Sequence, residues 1–357
     1  MSNILILGAS YGSLLATKLA LAGHRVCLVC TAGTAELING EGTIVRFPVK
    51  GRTGAVEVRS AELPGSITAA APQDVPTNGF DLAVLAMQEA QYAEPPVRQL
   101  MRRLARARVP CLAIMNMPPL AYLRRIESLD LARLQHCYRD AALWEGFDPA
   151  LVTLASPDPQ AFRPVGEGKN VLQVGLPTNF KAARFQDDAH TALLRQLEAD
   201  IDAARFTVDG EAIELPVRLK VHESLFVPLA KWPMLVTGNY RCIRADGMIP
   251  IQQAVHGDLA LSREIYEWVA DLCCRLGAER ADLVPFEKYA AAAASLQKPS
   301  SAARALFGGA SHIERVDSLV HCLAAQFGLA HPTLRETVRL VDARLERNRM
   351  EQEAVAA

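Results

Sequence analysis

The 357 residues carry 38 basic and 39 acidic side chains, a balance that gives no support to nucleic-acid binding or to a polybasic membrane patch. Half of the residues are apolar, ample for one large or two ordinary domains, yet no apolar stretch approaches the length of a membrane span. Eight cysteines are scattered, mostly in apolar settings, and read as buried thiols of a reducing cytoplasm. Cys27 and Cys30 form a C-x-x-C inside a strand pattern, where alternate residues face opposite ways, so no metal site is expected.

The chain opens on an apolar run that ends at Gly8. It is too short for the core of a signal peptide, lacks basic flanks and reads as a first strand. A short Gly/Ser loop leads into a helical pattern closing at Ala22-Gly23, and Arg25–Cys30 supplies a second strand. Such a strand–turn–helix–strand unit presents unpaired backbone N–H groups, at the positive end of a helix dipole, to an anion. It is the arrangement that holds a dinucleotide pyrophosphate. Of the G-x-G-x-x-G pattern, Gly8 and Gly12 are present, Ser10 replaces the middle glycine, and the turn is one residue short. Gly8, Ser10, Tyr11, Gly12 and Ser13 are the candidate cofactor contacts, with the Ser10 and Ser13 hydroxyls either touching phosphate or capping the helix.

The second strand ends Cys30-Thr31-Ala32-Gly33-Thr34, without the carboxylate that usually binds a ribose 2′-hydroxyl. A carboxylate would repel a 2′-phosphate, so its absence favours NADP(H), with Thr31 at the contact point. No arginine stands there (Arg46 and Arg52 come later), and NAD(H) stays open.

Thr43–Phe47 and Ala55–Val58 read as strands of an inserted section, Phe80–Met87 as a buried parallel strand, and Ala90–Ala105 as a helix. Val109–Met115 is the next strand, stopped by Pro118 and Pro119. The C-terminal edges of such strands face the ligand crevice, which makes Met87, Gln88 and Asn116 candidates. Val171–Gly175 and Arg205–Val208 are short strands flanking a helix at His190–Ala203. Helical periodicity then dominates: Val217–Leu229 (interrupted by Pro228), Gln252–Gly277, Pro285–Ala294, Ser301–Leu306, Ile313–Phe327 and Pro332–Arg349. The pattern predicts an α/β chain. A Rossmann-like domain with a parallel sheet spans 1–213, an all-α substrate and dimerisation domain spans 214–350, and a frayed tail covers 351–357.

Several separated segments resemble the ketopantoate reductases and their relatives in the 6-phosphogluconate-dehydrogenase-like superfamily. They are the opening GASYGSLLATKLALAGHRV, DLAVLAMQEAQ at Asp81–Gln91, Ile114-Met115-Asn116, KPSSAARALFGGASHIE at 298–314, and Gly328 to Pro332. The resemblance implies an NADP(H)-dependent oxidoreductase acting on a small 2-oxo or 2-hydroxy acid held in an interdomain cleft, and a homodimer. It also implies that Asn116 meets cofactor and substrate, that Ser300 and Ser301 meet the substrate carboxylate, and that Glu314, or His312 without a gap, meets the nicotinamide ribose. Capping by Ser300 and Ser301, and a salt bridge for Glu314, are the plain structural alternatives.

The departures are as informative. Gln88 stands where the family has a cofactor-contacting lysine. Lining up Val217–Thr237 with the helix that carries the family's proton-donating lysine puts Phe226 at the lysine and Ala230 at a following asparagine, and neither can donate. His222, four residues before Phe226 and on the same face of a helix, is the first replacement, with Lys231 the second. The alternatives are an opine-dehydrogenase-like condensation of a 2-oxo acid with an amine, a reductoisomerase, or an inactive NADP-binding sensor or regulatory protein.

Overall fold

The computed structural model describes residues 1–76 and 78–356, which divide into two compact units. The first comprises Met1–Met87, Gln91–Arg125 and Ala142–Glu223, and the second Gln88–Ala90, Ile126–Ala141 and Ser224–Ala357. The division thus falls at 223–224, later than the expected 213–214, and two earlier stretches of chain join the helical unit.

The first unit is built on an eight-stranded sheet. β1 (Asn3–Leu7) lies at its heart, with β2 (Arg25–Val29) and then Ser66–Ala70 on one side. On the other side come Leu82–Leu85, Cys111–Ile114, Val152–Ser156, Phe180–Ala183 and Leu219–His222. The six strands from Ser66–Ala70 to Val152–Ser156 are parallel; Phe180–Ala183 runs against them. The chain steps outward from β1 in one direction and later resumes beside β1 in the other. That reversal is the switch point at which sheets of this kind bind ligands. Leu82–Leu85 and Cys111–Ile114 are buried at every residue, as strands covered on both faces must be. Between β1 and β2 runs α1 (Gly12–Leu21), buried along its whole length. Its one charge, Lys18, is 2 % exposed and donates to the Leu215 carbonyl at 2.6 Å. Burial lowers the Lys18 amine to about 8.

The inserted strands have partners the sequence did not announce. Ile44–Pro48 and Ala55–Arg59 form one side of a four-stranded sheet completed by Val171–Leu176 and Gln160–Phe162.

In place of the expected helix over Val217–Leu229, residues Leu219–His222 form the edge strand, paired in parallel with Phe180–Ala183. The reason is a period of two: Leu219 and Val221 are buried while Lys220 and His222 are partly exposed. Lys220 meets Glu198 at 3.2 Å and Asp202 at 2.6 Å on the neighbouring helix, Asp188–Ala203. After Ser224, where the chain enters the second unit for good, the first helical run starts only at Val227. It passes through Val227–Lys231, Trp232–Met234 and a wide-turned Leu235–Tyr240.

Gln252–Gly277 is two helices, Ile251–His256 and Leu259–Leu276, because the Asp258 carboxylate accepts the Leu261 amide and caps the second. The last helix runs Pro332–Ala356, past the Arg349 at which the helical pattern was expected to end, while Ala357 of the expected tail lies outside the described residues. Asn348 is buried and donates to the carbonyls of Leu306 (2.7 Å) and Ala310 (2.8 Å), and Gln352 donates to Gly309 (2.7 Å). Among the described residues no helix is long and apolar enough to cross a membrane.

Candidate active site

β1 delivers the chain to Gly8 at the switch point. Gly8 has φ +108°, where side chains are strained, and a Cβ there would lie 2.7 Å from Met87 Cγ and 2.8 Å from the Ala86 carbonyl oxygen. A Cβ on Gly12 would lie 2.6 Å from Ile6 Cγ2. Both glycines therefore let α1 start hard against the strand ends. Gly8, Gly12, Ser13 and Leu14 commit their amides to Val29, Gly8, Ser10 and Tyr11. Among the described residues the amides of Ala9, Ser10 and Tyr11 donate no hydrogen bond, which leaves three donors for an anion. The Ser13 hydroxyl is buried and donates to the Ala9 carbonyl, so it is not the phosphate contact the sequence allowed; neither serine caps the helix. Tyr11 turns aside, its hydroxyl donating to the Pro159 carbonyl at 2.7 Å and its ring meeting Phe180 edge-on at 5.8 Å.

Thr31 ends β2 and precedes helix Ala32–Glu41, and its hydroxyl lies 3.0 Å from that of Thr34. No arginine stands within the next ten residues, but one from the end of the four-stranded sheet acts electrostatically on Cys30 beside it. Burial pushes the Cys30 thiol up to about 11, and the charge drawing it down is Arg163, which follows strand Gln160–Phe162. Arg163 is exposed and makes no ion pair or hydrogen bond among the described residues. With Pro159 held by Tyr11 and Arg163 near Cys30, this stretch links the glycine turn to the end of β2. Sequence reasoning missed Arg163 because the two regions are more than a hundred residues apart.

Parallel pairing brings Met87 and Asn116 to the same edge as Gly8. The Met87 amide donates to the Tyr92 hydroxyl at 3.0 Å, and Asn116 is half-buried two residues past its strand. Gln88 is exposed and begins the short stretch that belongs to the helical unit.

Within the helical unit, Glu314 is buried while His312 is exposed. Glu314 Oε1 accepts the Glu89 amide at 3.3 Å, and its carbonyl accepts the Tyr240 hydroxyl. Glu89, itself buried, accepts the Arg139 amide at 3.3 Å. Two buried carboxylates, Arg139 and Tyr240 thus form a cluster, of which the sequence singled out Glu314 alone. Burial, and then the Glu89 charge, hold the neighbouring Tyr138 phenol well above its ordinary value. Ser300 is buried; its hydroxyl donates to the Asn239 carbonyl at 2.7 Å and caps helix Ser301–Phe307 through the Ala303 amide at 3.1 Å. Ser301 is exposed beside it.

The two proton-donor candidates fall in different units. His222 and Phe226 share no helical face, because His222 closes an edge strand of the first unit. That strand lies five places from β1, about 24 Å at the usual strand spacing, and runs away from the edge that carries Gly8. Lys231 lies in the helical run that starts at Val227, partly exposed at the end of its opening turn. Phe226 itself lies ahead of the helical run, which begins at Val227.

No protein-family model and no curated protein matches this sequence. Solved structures do. A D-mandelate dehydrogenase bound to NADH and anilino(oxo)acetate superposes with a TM-score of 0.64 at 14% identity, over 97% of this chain and 99% of that one. The 2-dehydropantoate 2-reductase of Methylococcus capsulatus gives 0.66 at 14% identity, over 97% of both chains. The fold is that of the ketopantoate reductases. A ketopantoate reductase from Staphylococcus aureus, described as dimeric, gives 0.60 at 12% identity, over 97% of this chain and 99% of that one. The α/β class and the parallel sheet read from the sequence are borne out, and the ketopantoate-reductase fold extends over nearly the whole chain.

Proposed function

We propose that this protein is an NADP(H)-dependent oxidoreductase that interconverts a small 2-oxo acid and its 2-hydroxy acid. The observation that carries the reading is the turn at Gly8, with its positive φ and three uncommitted amides at the switch point of the sheet. The residues present fit a dinucleotide, since Gly8 admits no side chain and the turn offers three uncommitted amides. When bound, the nicotinamide supplies the hydride.

The chain's own groups divide the remaining tasks. The Ala9, Ser10 and Tyr11 amides hold the pyrophosphate, while Thr31 and Arg163 hold the 2′-phosphate, so NADP(H) is preferred to the NADH seen with the mandelate dehydrogenase. Met87, Gln88 and Asn116 line the nicotinamide end, and Asn116 also orients the substrate. Lys231 gives its proton to the oxygen of the reduced carbonyl, in preference to His222. Glu314, fixed through Glu89, positions the ribose. Ser301 remains available to the substrate carboxylate, whereas Ser300 acts by shaping the helix start. Assembly as a homodimer belongs to the same reading, supported by the dimeric neighbour.

The test is a panel of 2-oxo acids, with and without amines, followed by NADPH absorbance. Oxidation of NADPH by one or more 2-oxo acids alone is expected. A requirement for an amine would move the protein to reductive condensation, and tight NADPH binding with no turnover under any pairing would make it a sensor.

A further inference from the structure

The helical unit holds a second group of reactive side chains that the proposed reaction does not use. Its sequence contains two His-Cys dipeptides, His136-Cys137 and His321-Cys322. The first closes the short helical segment Leu131–Cys137 and the second lies within helix Val316–Gln326. Folding brings Cys137 Sγ to 3.9 Å from Cys322 Sγ. His136 Nε2 lies 3.3 Å from Cys322 Sγ and 3.8 Å from Cys137 Sγ.

These separations are those of a metal's coordination shell. With Zn–S near 2.3 Å and Zn–N near 2.1 Å, a tetrahedral ion spaces its ligands at about 3.8 Å for S···S and about 3.6 Å for S···N. Each observed distance lies within a few tenths of an ångström of those edges. A disulfide would need a far shorter S···S distance, and all eight cysteines are free. Among the described residues, this is the one group of three or more potential ligands whose atoms converge so closely.

We propose that His136, Cys137 and Cys322 bind a thiophilic divalent cation, zinc(II) by preference, with the fourth position taken by water. Two thiolates and one imidazole suit zinc(II) over magnesium or calcium, which take oxygen ligands. Binding displaces the two thiol protons to solvent and leaves a site of no net charge. His136 is exposed and gives the ion access, whereas Cys137 is buried. The Ser318 hydroxyl, 3.5 Å from Cys137 Sγ, supports that thiolate. The ion would clamp Leu131–Cys137 onto helix Val316–Gln326. The start of the same segment is already held by two bonds: the Asp130 amide donates to Gln326 Oε1 (2.9 Å) and Gln326 Nε2 donates to the Asp130 carbonyl (3.0 Å). Arg139, two residues past Cys137, is the group whose amide reaches Glu89, so the clamp braces one wall of the carboxylate cluster.

The full-length chain, stripped with a chelator and kept in a non-thiol reductant, would be titrated with cobalt(II) and then zinc(II). A single cobalt(II) per chain is expected, with a thiolate charge-transfer band, visible bands of tetrahedral intensity, and displacement by zinc(II). Cys137→Ser and Cys322→Ser should lose the charge-transfer band. His136→Asn, at an exposed position where folding is not at stake, should weaken binding about tenfold or more. Cys274→Ser, a free cysteine elsewhere in the helical unit, should leave the titration unchanged. Absence of a saturable band in the reduced wild-type chain overturns the proposal, as does a band that survives in both His136→Asn and Cys322→Ser.

Discussion

Gly8 is where a single methyl group interrogates the cofactor turn. Gly8→Ala would place a Cβ against the Ala86 carbonyl oxygen and Met87, at a φ that costs an L-residue about 1–2 kcal/mol before any clash. We expect NADPH affinity to fall at least tenfold by fluorescence titration and stability to drop in urea melts. At the other end of the cofactor, Arg163→Ala should cut the preference for NADPH over NADH about tenfold or more, the worth of a hydrogen bond between charged groups, and leave NADH affinity unchanged. Lys18 offers a pH test. Its folded value of about 8 lies below the ordinary 10.5, so between those values the unfolded chain holds a proton that the folded chain lacks. Stability therefore rises with pH across that window, by about 3 kcal/mol relative to Lys18→Met, and the deficit is fully present below pH 8. Urea melts of both proteins at pH 7 and pH 10.5 measure it. A difference that stays constant would mean that Lys18 is solvated.

Single elements decided where sequence reading succeeded and failed. β1, α1 and β2 were legible because an apolar run, a glycine turn and a helical period follow one another without interruption. Leu219–His222 was not, because four residues with two buried positions fit a strand or a helix equally until the partner strand Phe180–Ala183 is known. That one misreading moved the start of the helical unit and put Phe226 inside a helix that begins only at Val227. Lys231→Ala is expected to lower kcat by about 10²–10⁴ with NADPH affinity unchanged, the range for loss of a positioned proton donor. His222→Ala should leave kcat within a factor of a few. The final helix was also underestimated, because its polar surface hides Asn348, which anchors it inward. Asn348→Ala removes the side-chain donor from the Ala310 carbonyl and leaves the Leu306 carbonyl only the longer Gly309 amide bond at 3.3 Å, and it should cost about 1–3 kcal/mol in a denaturant melt. A loss below about 0.5 kcal/mol would mean that these bonds do not anchor the helix.

Over the whole molecule, the chain announced its fold more readily than its chemistry. The fold follows from periodicity, which every residue reports. The site depends on meetings between distant segments, which no short window contains. Glu314 with Glu89, Arg163 with Cys30, and His136-Cys137 with Cys322 all arise that way. The turn at Gly8 is local, and it was legible from the first dozen residues. The direct measurement is a calorimetric titration of the wild-type chain with NADPH, NADH and 2′-phosphoadenosine 5′-phosphate, repeated on Gly8→Ala and Arg163→Ala. NADPH should bind tightest, losing affinity in both variants, while the phosphoadenosine should respond to Arg163→Ala more strongly than NADH does. Failure of every nucleotide to bind the wild-type chain, or equal binding to Gly8→Ala, would contradict a cofactor held by this turn.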